Sequence, residues 1–217
     1  MPQTNESKKN LSFPSVAVIT ANGGDLSIMT VDGEILTKKF NDRLDMGATI
    51  GNAPVLTCHA PWMAQKIDLP HYPAFDALEL FAFVHAGKFT TPTVKGVAKT
   101  LNLHIPEEQE DLPFLLIEVC QTLLKTLQNF EGQDKEHCIS IAKAMGRQNY
   151  GWAWTPYVLE ALGITYDDRL PTNPKEDMHI FDTLPEWAEE APPPPNKFDP
   201  VTGEESREYL QTLLMRR

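Results

Sequence analysis

Residues 53–64 read Ala-Pro-Val-Leu-Thr-Cys-His-Ala-Pro-Trp-Met-Ala, and residues 75–80 read Phe-Asp-Ala-Leu-Glu-Leu. Val55 to Cys58 is a short, continuously apolar run, the pattern of a strand buried on both faces. Pro61 then stands where a first helical residue belongs, a place where its missing N–H does no harm. Met63, Ala64 and Ile67 fall on one face of the helix that follows. Phe75-Asp76 closes a short extended piece, and Ala77 to Val84 has the pattern of a second helix. Strand–helix units followed by helices that pack on a sheet predict an α/β domain.

Upstream, Val16 to Ile19 is a β-branched run ending at the turn signal Asn22-Gly23-Gly24. Leu26 to Val31 and Glu34 to Phe40 flank Asp32-Gly33, a strong hairpin signal because both central turn residues must reach positive φ. A three-stranded antiparallel meander is therefore expected at the start. Downstream, Thr91-Pro92 has the form of an N-cap followed by proline at the first helical position. Val94, Val97, Ala98 and Leu101 give that helix its buried face. Leu112 to Phe130 is the strongest helix, with Leu116, Val119, Cys120, Leu123 and Leu127 at helical spacing. Lys135 to Arg147 and a segment from Thr155-Pro156 to Gly163 predict two further helices.

The 217 residues, 41% of them apolar, are enough for one domain with extensions or for two small ones. The formal charge of −11 argues against a broad, non-specific phosphate-binding face, although net charge is a sum and not a map. Cys58, Cys120 and Cys138 form no C-x-x-C and match no zinc spacing, so they are expected to be reduced, buried thiols of a cytoplasmic protein. No apolar stretch approaches the roughly 18 residues of a membrane span, and none has the form of a secretion signal.

No Walker A loop, dinucleotide fingerprint, G-x-S-x-G or H-E-x-x-H occurs. Three positions carry possible chemistry, His59 and the pair Asp76 and Glu79. His59 lies between a buried strand and a helix start, where active-site residues often sit; its alternative is a polar group bonded to nearby backbone. Asp76 and Glu79 form Asp-x-x-Glu ahead of an apolar helix. That pattern is either a metal carboxylate with its neighbour or a helix cap with its capping-box partner, worth about 1 kcal/mol.

The meander, then Val-Leu-Thr-Cys-His-Ala-Pro-Trp-Met-Ala at 55–64, then Phe-Asp-Ala-Leu-Glu-Leu at 75–80, resembles a DEDD-type 3′–5′ exonuclease domain of the RNase H-like fold. The resemblance implies a mixed sheet with flanking helices and a small helical extension at its C-terminal end. In that family four carboxylates hold two divalent metals that clamp the attacking and leaving oxygens. Carried over, the first-strand acidic pair falls on Ile19 and Ala21, the second-motif His on His59, its Asn on Ala60 and its Asp on Ala64. Asp76 is kept. The last motif falls between Glu110 and Thr122, where Asp111 or Glu118 is the available acid. Loss of three of four carboxylates implies a degenerate metal site.

Gly151-Trp152-Ala153-Trp154-Thr155-Pro156 and the later segment Leu184 to Pro195, which ends in four prolines, are similar to the N-terminal region of DinG-like ATP-dependent DNA helicases of alphaproteobacterial type. The resemblance implies a flexible lead (1–12), an exonuclease-like domain (13–131), a helical extension (132–165), an acidic proline-rich linker (166–203), and a helix start (204–217) leading to a helicase core in cis. ATP and Mg²⁺ would belong to that core, not to these residues. The implied partner is DNA, with no membrane, and the implied role is that of a non-catalytic accessory region. Two other readings stay open: an active exonuclease using Asp76, Asp111, Glu118 and His59, and a free-standing module that binds partners through its prolines and tryptophans.

Overall fold

A computed structural model describes residues 11–40, 53–67, 73–146, 151–166 and 202–214. The chain opens with β1 (Ala17–Asn22), β2 (Asp25–Met29) and β3 (Ile35–Lys39), paired antiparallel in sequence order. The Asp32-Gly33 turn forms, but only Gly33 reaches positive φ (88°) and the connection runs from Thr30 to Glu34, so it is not the two-residue turn with both central residues left-handed; Gly33 N donates to Thr30 O at 3.0 Å, and Thr30 N donates to Glu34 O at 2.9 Å. β4 (Val55–Thr57) then lies parallel to β1, and β5 (Ala74–Asp76) lies parallel to β4. The result is a mixed five-stranded sheet in the order β3-β2-β1-β4-β5, in an α/β protein.

The alternation of side chains along the strands gives the sheet two buried faces. On one face Ala17, Ile19, Leu26, Ile28 and Val55 pack against Met63 of α1 (Ala60–Lys66). On the other, Val18, Leu56 and Phe75 meet the main core. That core is built by α2 (Ala77–Val84), α3 (Val94–Thr100), α4 (Leu112–Leu127), α5 (Gly132–Met145) and α6 (Thr155–Ala161). α4 is its spine, because Leu112, Leu115, Leu116, Val119, Cys120, Leu123, Leu124 and Leu127 are all buried at the three- and four-residue spacing of one helical face.

Residues of the expected 132–165 extension share this core. Ala142, Trp154, Val158, Leu159 and Leu162 are buried in the same cluster as the α4 leucines. The chain divides into two compact units between Leu184 and Pro185, and α7 (Gly203–Leu214) belongs to the second. The acidic proline-rich segment at 167–201 and the lead at 1–10 lie outside the described residues.

Helix starts were only partly readable. The cap expected at Thr91 sits two residues later: Thr93 is extended (φ −137°, ψ 156°) and its hydroxyl accepts from Gly96 N at 3.0 Å. Thr91-Pro92 instead makes a tight turn before the helix, with Thr93 N donating to Thr91 O at 2.7 Å. Gly96 is required by that turn, since a Cβ there would lie 2.4 Å from Thr91 O. Gly96→Ala is therefore expected to destabilise the protein by about 1–3 kcal/mol through a forced backbone shift, against the gain of up to about 1 kcal/mol that alanine brings to a helix. Urea unfolding measures the balance, and a stability equal to or above wild type would mean that the 91–93 turn moves aside freely.

Candidate binding cleft

The carboxyl ends of the parallel pair β1 and β4 open into a cleft of about 370 Å³. Strand connections diverge to either side of this pair, which is where open α/β sheets leave a crevice for ligands. Thr20, Ala21, Asn22 and Gly23 form one wall, and Cys58, His59, Trp62 and Met63 form the second. Pro92 to Lys95 closes the third side, with Leu112 also in the lining. The lining holds one lysine and one histidine and is otherwise neutral.

Asp76 organises the rim from below. It is 3% exposed, and both carboxylate oxygens are engaged. Oδ1 accepts from His59 N at 2.8 Å and from Leu78 N at 2.9 Å, while Oδ2 accepts from Ala60 N at 2.7 Å. One side chain thus satisfies orphan donors at the starts of both α1 and α2. It also ties the end of β4 to the end of β5. His59 needs that tie: it is left-handed (φ 63°, ψ 65°), an uncommon conformation for a residue with a Cβ. Such strain persists only where surrounding contacts over-determine it. The carboxylate on its N–H and on the next N–H is that contact, and it holds His59 at the mouth of the cleft.

The other acids named from sequence stand apart. Asp111 is exposed ahead of α4 and makes no side-chain cap there, and Glu118 is exposed on the solvent side of α4. Among the described residues, no three His, Cys, Asp or Glu side chains gather as a metal site would need. Ile19 is fully buried on the sheet face toward α1, Ala21 lines the cleft, and Ala64 is buried in α1.

Sequence reasoning missed Trp62 and Lys95. Trp62 is 36% exposed, off the buried face of α1, and meets Phe40 edge-on at 6.0 Å. Lys66 Nζ lies 5.6 Å from the Trp62 ring centroid and 5.9 Å from that of Phe40. The usable signal was a tryptophan on the polar side of a short helix that leaves a buried strand. Lys95 gave no signal, because its place depends on where the 85–93 loop delivers α3.

Glu79 is not the back-bonding half of a capping box. Its carboxylate accepts from Trp152 Nε1 at 3.0 Å, and the indole lies against Phe83 at 5.0 Å. Partial burial lifts the Glu79 carboxyl above its ordinary value of 4.5, and the charge of Asp76 adds to the rise, while the Trp152 bond opposes it. A raised folded value means that the folded state holds the proton longer than the unfolded chain. The associated stability is present below the ordinary value and is lost as pH rises through the raised one. Glu79→Gln keeps an acceptor for Trp152 and does not titrate. Wild type should therefore lose stability relative to Glu79→Gln as pH climbs through the carboxylate range, read by urea unfolding in a pH series; a constant difference would refute it.

The thiols are chemically quiet. Burial pushes Cys58 up to about 12, with a further rise from Asp76, and pushes Cys138 up to about 11. Complete burial likewise raises Cys120 well above its ordinary value. Cys58 lines the cleft as a small apolar group and not as a nucleophile.

Fold and cleft together describe an α/β protein with a weakly cationic crevice at the ends of its central parallel strands. No known family model, curated protein or solved structure matches the chain. Among the described residues, no helix is long and apolar enough to cross a membrane.

Proposed function

We propose that this chain is a non-catalytic accessory region of an ATP-dependent DNA helicase, built on an RNase H-like, exonuclease-type scaffold. The strand order supports the scaffold reading: an antiparallel meander on one side of β1, with β4 and β5 added parallel on the other. The observation that carries the non-catalytic reading is the state of Asp76. The one carboxylate kept at a family metal position accepts three backbone N–H bonds beneath the cleft. The neighbouring positions are Ile19, Ala21, Ala60 and Ala64, none of which can ligate a metal. The helix-cap account of Asp76 is thereby favoured over the metal-ligand account.

In this reading the parent acts in the cytoplasm, and ATP with Mg²⁺ serves the helicase core attached in cis. The test has two arms. Purified protein incubated with end-labelled single-stranded and duplex DNA in Mg²⁺ or Mn²⁺ is expected to leave both intact. The encoding frame, or an adjacent gene, is expected to supply a G-x-x-x-x-G-K-[ST] loop. Strand degradation that stops with chelator, and that is lost in a folded variant of Asp76, would sink the non-catalytic reading.

A further inference from the structure

We propose that the loop 85–93 and the outer side of α3 form a docking surface for the chain's own acidic segment, Glu176 to Leu184. The inference rests on charge and packing and not on the reading above, so either can fail without the other.

Phe89 is 88% exposed, the highest value for a large apolar side chain among the described residues. The loop that carries it is nevertheless tied down on both sides. Lys88 N donates to His85 O at 3.0 Å, the Thr90 and Thr100 hydroxyls meet at 3.0 Å, and Thr93 N donates to Thr91 O at 2.7 Å. A lone exposed apolar residue is ordinary on a protein surface. This one is bordered by cations. Lys88 precedes it, and the Thr90–Thr100 contact holds its loop against the last turn of α3, where Lys99 is exposed. Lys95 stands four residues before Lys99, a spacing at which like charges on a helix repel. No Asp or Glu occurs from Leu80 to Pro106, in a chain with 30 acids. Among the described residues, none of the three ammonium groups is in an ion pair. Burial, and then the charge of Lys88, hold His85 below its ordinary value, in keeping with a positive local field.

Three cations around an apolar ring suit an occupant that brings both acids and apolar groups. Glu176-Asp177-Met178-His179-Ile180-Phe181-Asp182-Thr183-Leu184 brings three acids, no Lys or Arg, and four apolar side chains. It lies outside the described residues, within the same compact unit as α3. Ten residue steps separate Tyr166 from Glu176, a reach of up to about 35 Å. The radius of gyration of a domain of this size is about 15 Å, so the segment can reach any face. Exposed ion pairs are individually weak, and this surface would hold a free acidic peptide poorly. A tethered one is at about millimolar effective concentration, where weak pairs suffice. The few lysines and the formal charge of −11 also disfavour a nucleic acid, which needs a broader cationic face. Docked, the segment covers Phe89 and neutralises the lysines, and salt releases it.

The full chain with Phe89 replaced by the photo-cross-linker p-benzoylphenylalanine reads the contact directly. On irradiation at low salt, mass spectrometry should place the main cross-link within residues 176–184 of the same molecule. Half-molar salt should lower its yield several-fold, because exposed pairs are screened. The triple variant Glu176→Lys, Asp177→Lys, Asp182→Lys should lower it at least as much. Adding Lys88→Glu, Lys95→Glu and Lys99→Glu should restore it, and circular dichroism checks that each variant keeps the fold. A cross-link that joins two copies overturns the proposal in favour of a dimer. One to an added single-stranded oligonucleotide, in preference to 176–184, gives the surface to nucleic acid. Absence of any cross-link to 176–184, or a yield that neither salt nor charge reversal changes, also overturns it.

Discussion

Asp76→Ala is expected to lower the unfolding free energy by about 3–5 kcal/mol, near the top of the range for single substitutions. The reason is the number of donors it would strand. His59 N, Ala60 N and Leu78 N all point at this one carboxylate, which is 3% exposed. Hydrogen bonds to a charged acceptor are worth about 1.5–3 kcal/mol each, and a buried donor left without a partner costs about 1–3 kcal/mol. Rescue of one or two N–H groups by water would hold the sum well below three full bonds. Asp76→Asn is expected to be milder, about 2 kcal/mol, because one oxygen remains and an amide NH₂ replaces the other, turning a donor toward a donor. In a protein of this size the alanine variant should melt roughly ten degrees lower. Thermal unfolding followed by far-UV circular dichroism measures both variants. An alanine variant within about 1 kcal/mol of wild type would show that the carboxylate is not what holds the rim. Any loss of binding or activity in Asp76→Ala must accordingly be read beside its stability.

What could be read from the sequence divides by distance along the chain. The Asp32-Gly33 hairpin was legible because turn chemistry is local, although the positive φ expected of both residues is taken up by Gly33 alone. α4 was legible because its apolar spacing repeats over four turns. Asp76 was legible as a cap for Leu78, two residues away. Its bonds to His59 and Ala60 were not, because nothing near residue 76 reports on the chain 16 and 17 positions earlier. The Thr91-Pro92 signal misplaced a helix start because Thr93 offers the same hydroxyl two residues on, and the turn geometry selects it. Thr155 illustrates a second limit. It does begin α6, but its hydroxyl bonds to Ala142 O on α5, at 3.3 Å, and not to its own helix. The candidate acids Asp111 and Glu118 came from a motif window, not from any physical pattern, and both are exposed. Trp62 and Lys95 reach the cleft through the packing of separate elements, which no local pattern encodes.

The same long-range logic makes Trp154 the second position with a large expected effect. Its indole is completely buried, and Nε1 donates to the backbone O of Asp76 at 2.9 Å. The ring packs edge-on against Phe75 at 5.1 Å, with Tyr157 at 6.2 Å and Phe13 at 6.3 Å. Three parts of the chain thus meet on one side chain: the segment before β1, the end of β5 and the start of α6. Trp154→Ala should cost about 3–5 kcal/mol, the usual result of emptying a buried aromatic site. Trp154→Phe should cost about 1–3 kcal/mol, part from lost volume and part from the hydrogen bond to Asp76 O. Because Ala142, Val158, Leu159 and Leu162 share a cluster with the α4 leucines, the alanine variant should unfold in a single transition. Early melting of α5 and α6 with the sheet left intact would contradict this. The two positions should also be coupled. Asp76 fixes the β5–α2 junction through its side chain, and Trp154 fixes it through the Asp76 carbonyl. A double-mutant cycle of Asp76→Asn and Trp154→Phe is therefore expected to give an interaction energy of about 0.5–3 kcal/mol. With the first replacement made, the junction is already loosened, and the second should cost less than it does alone. Additivity within about 0.5 kcal/mol would mean that the carboxylate on the cleft side and the indole on the core side hold the junction independently.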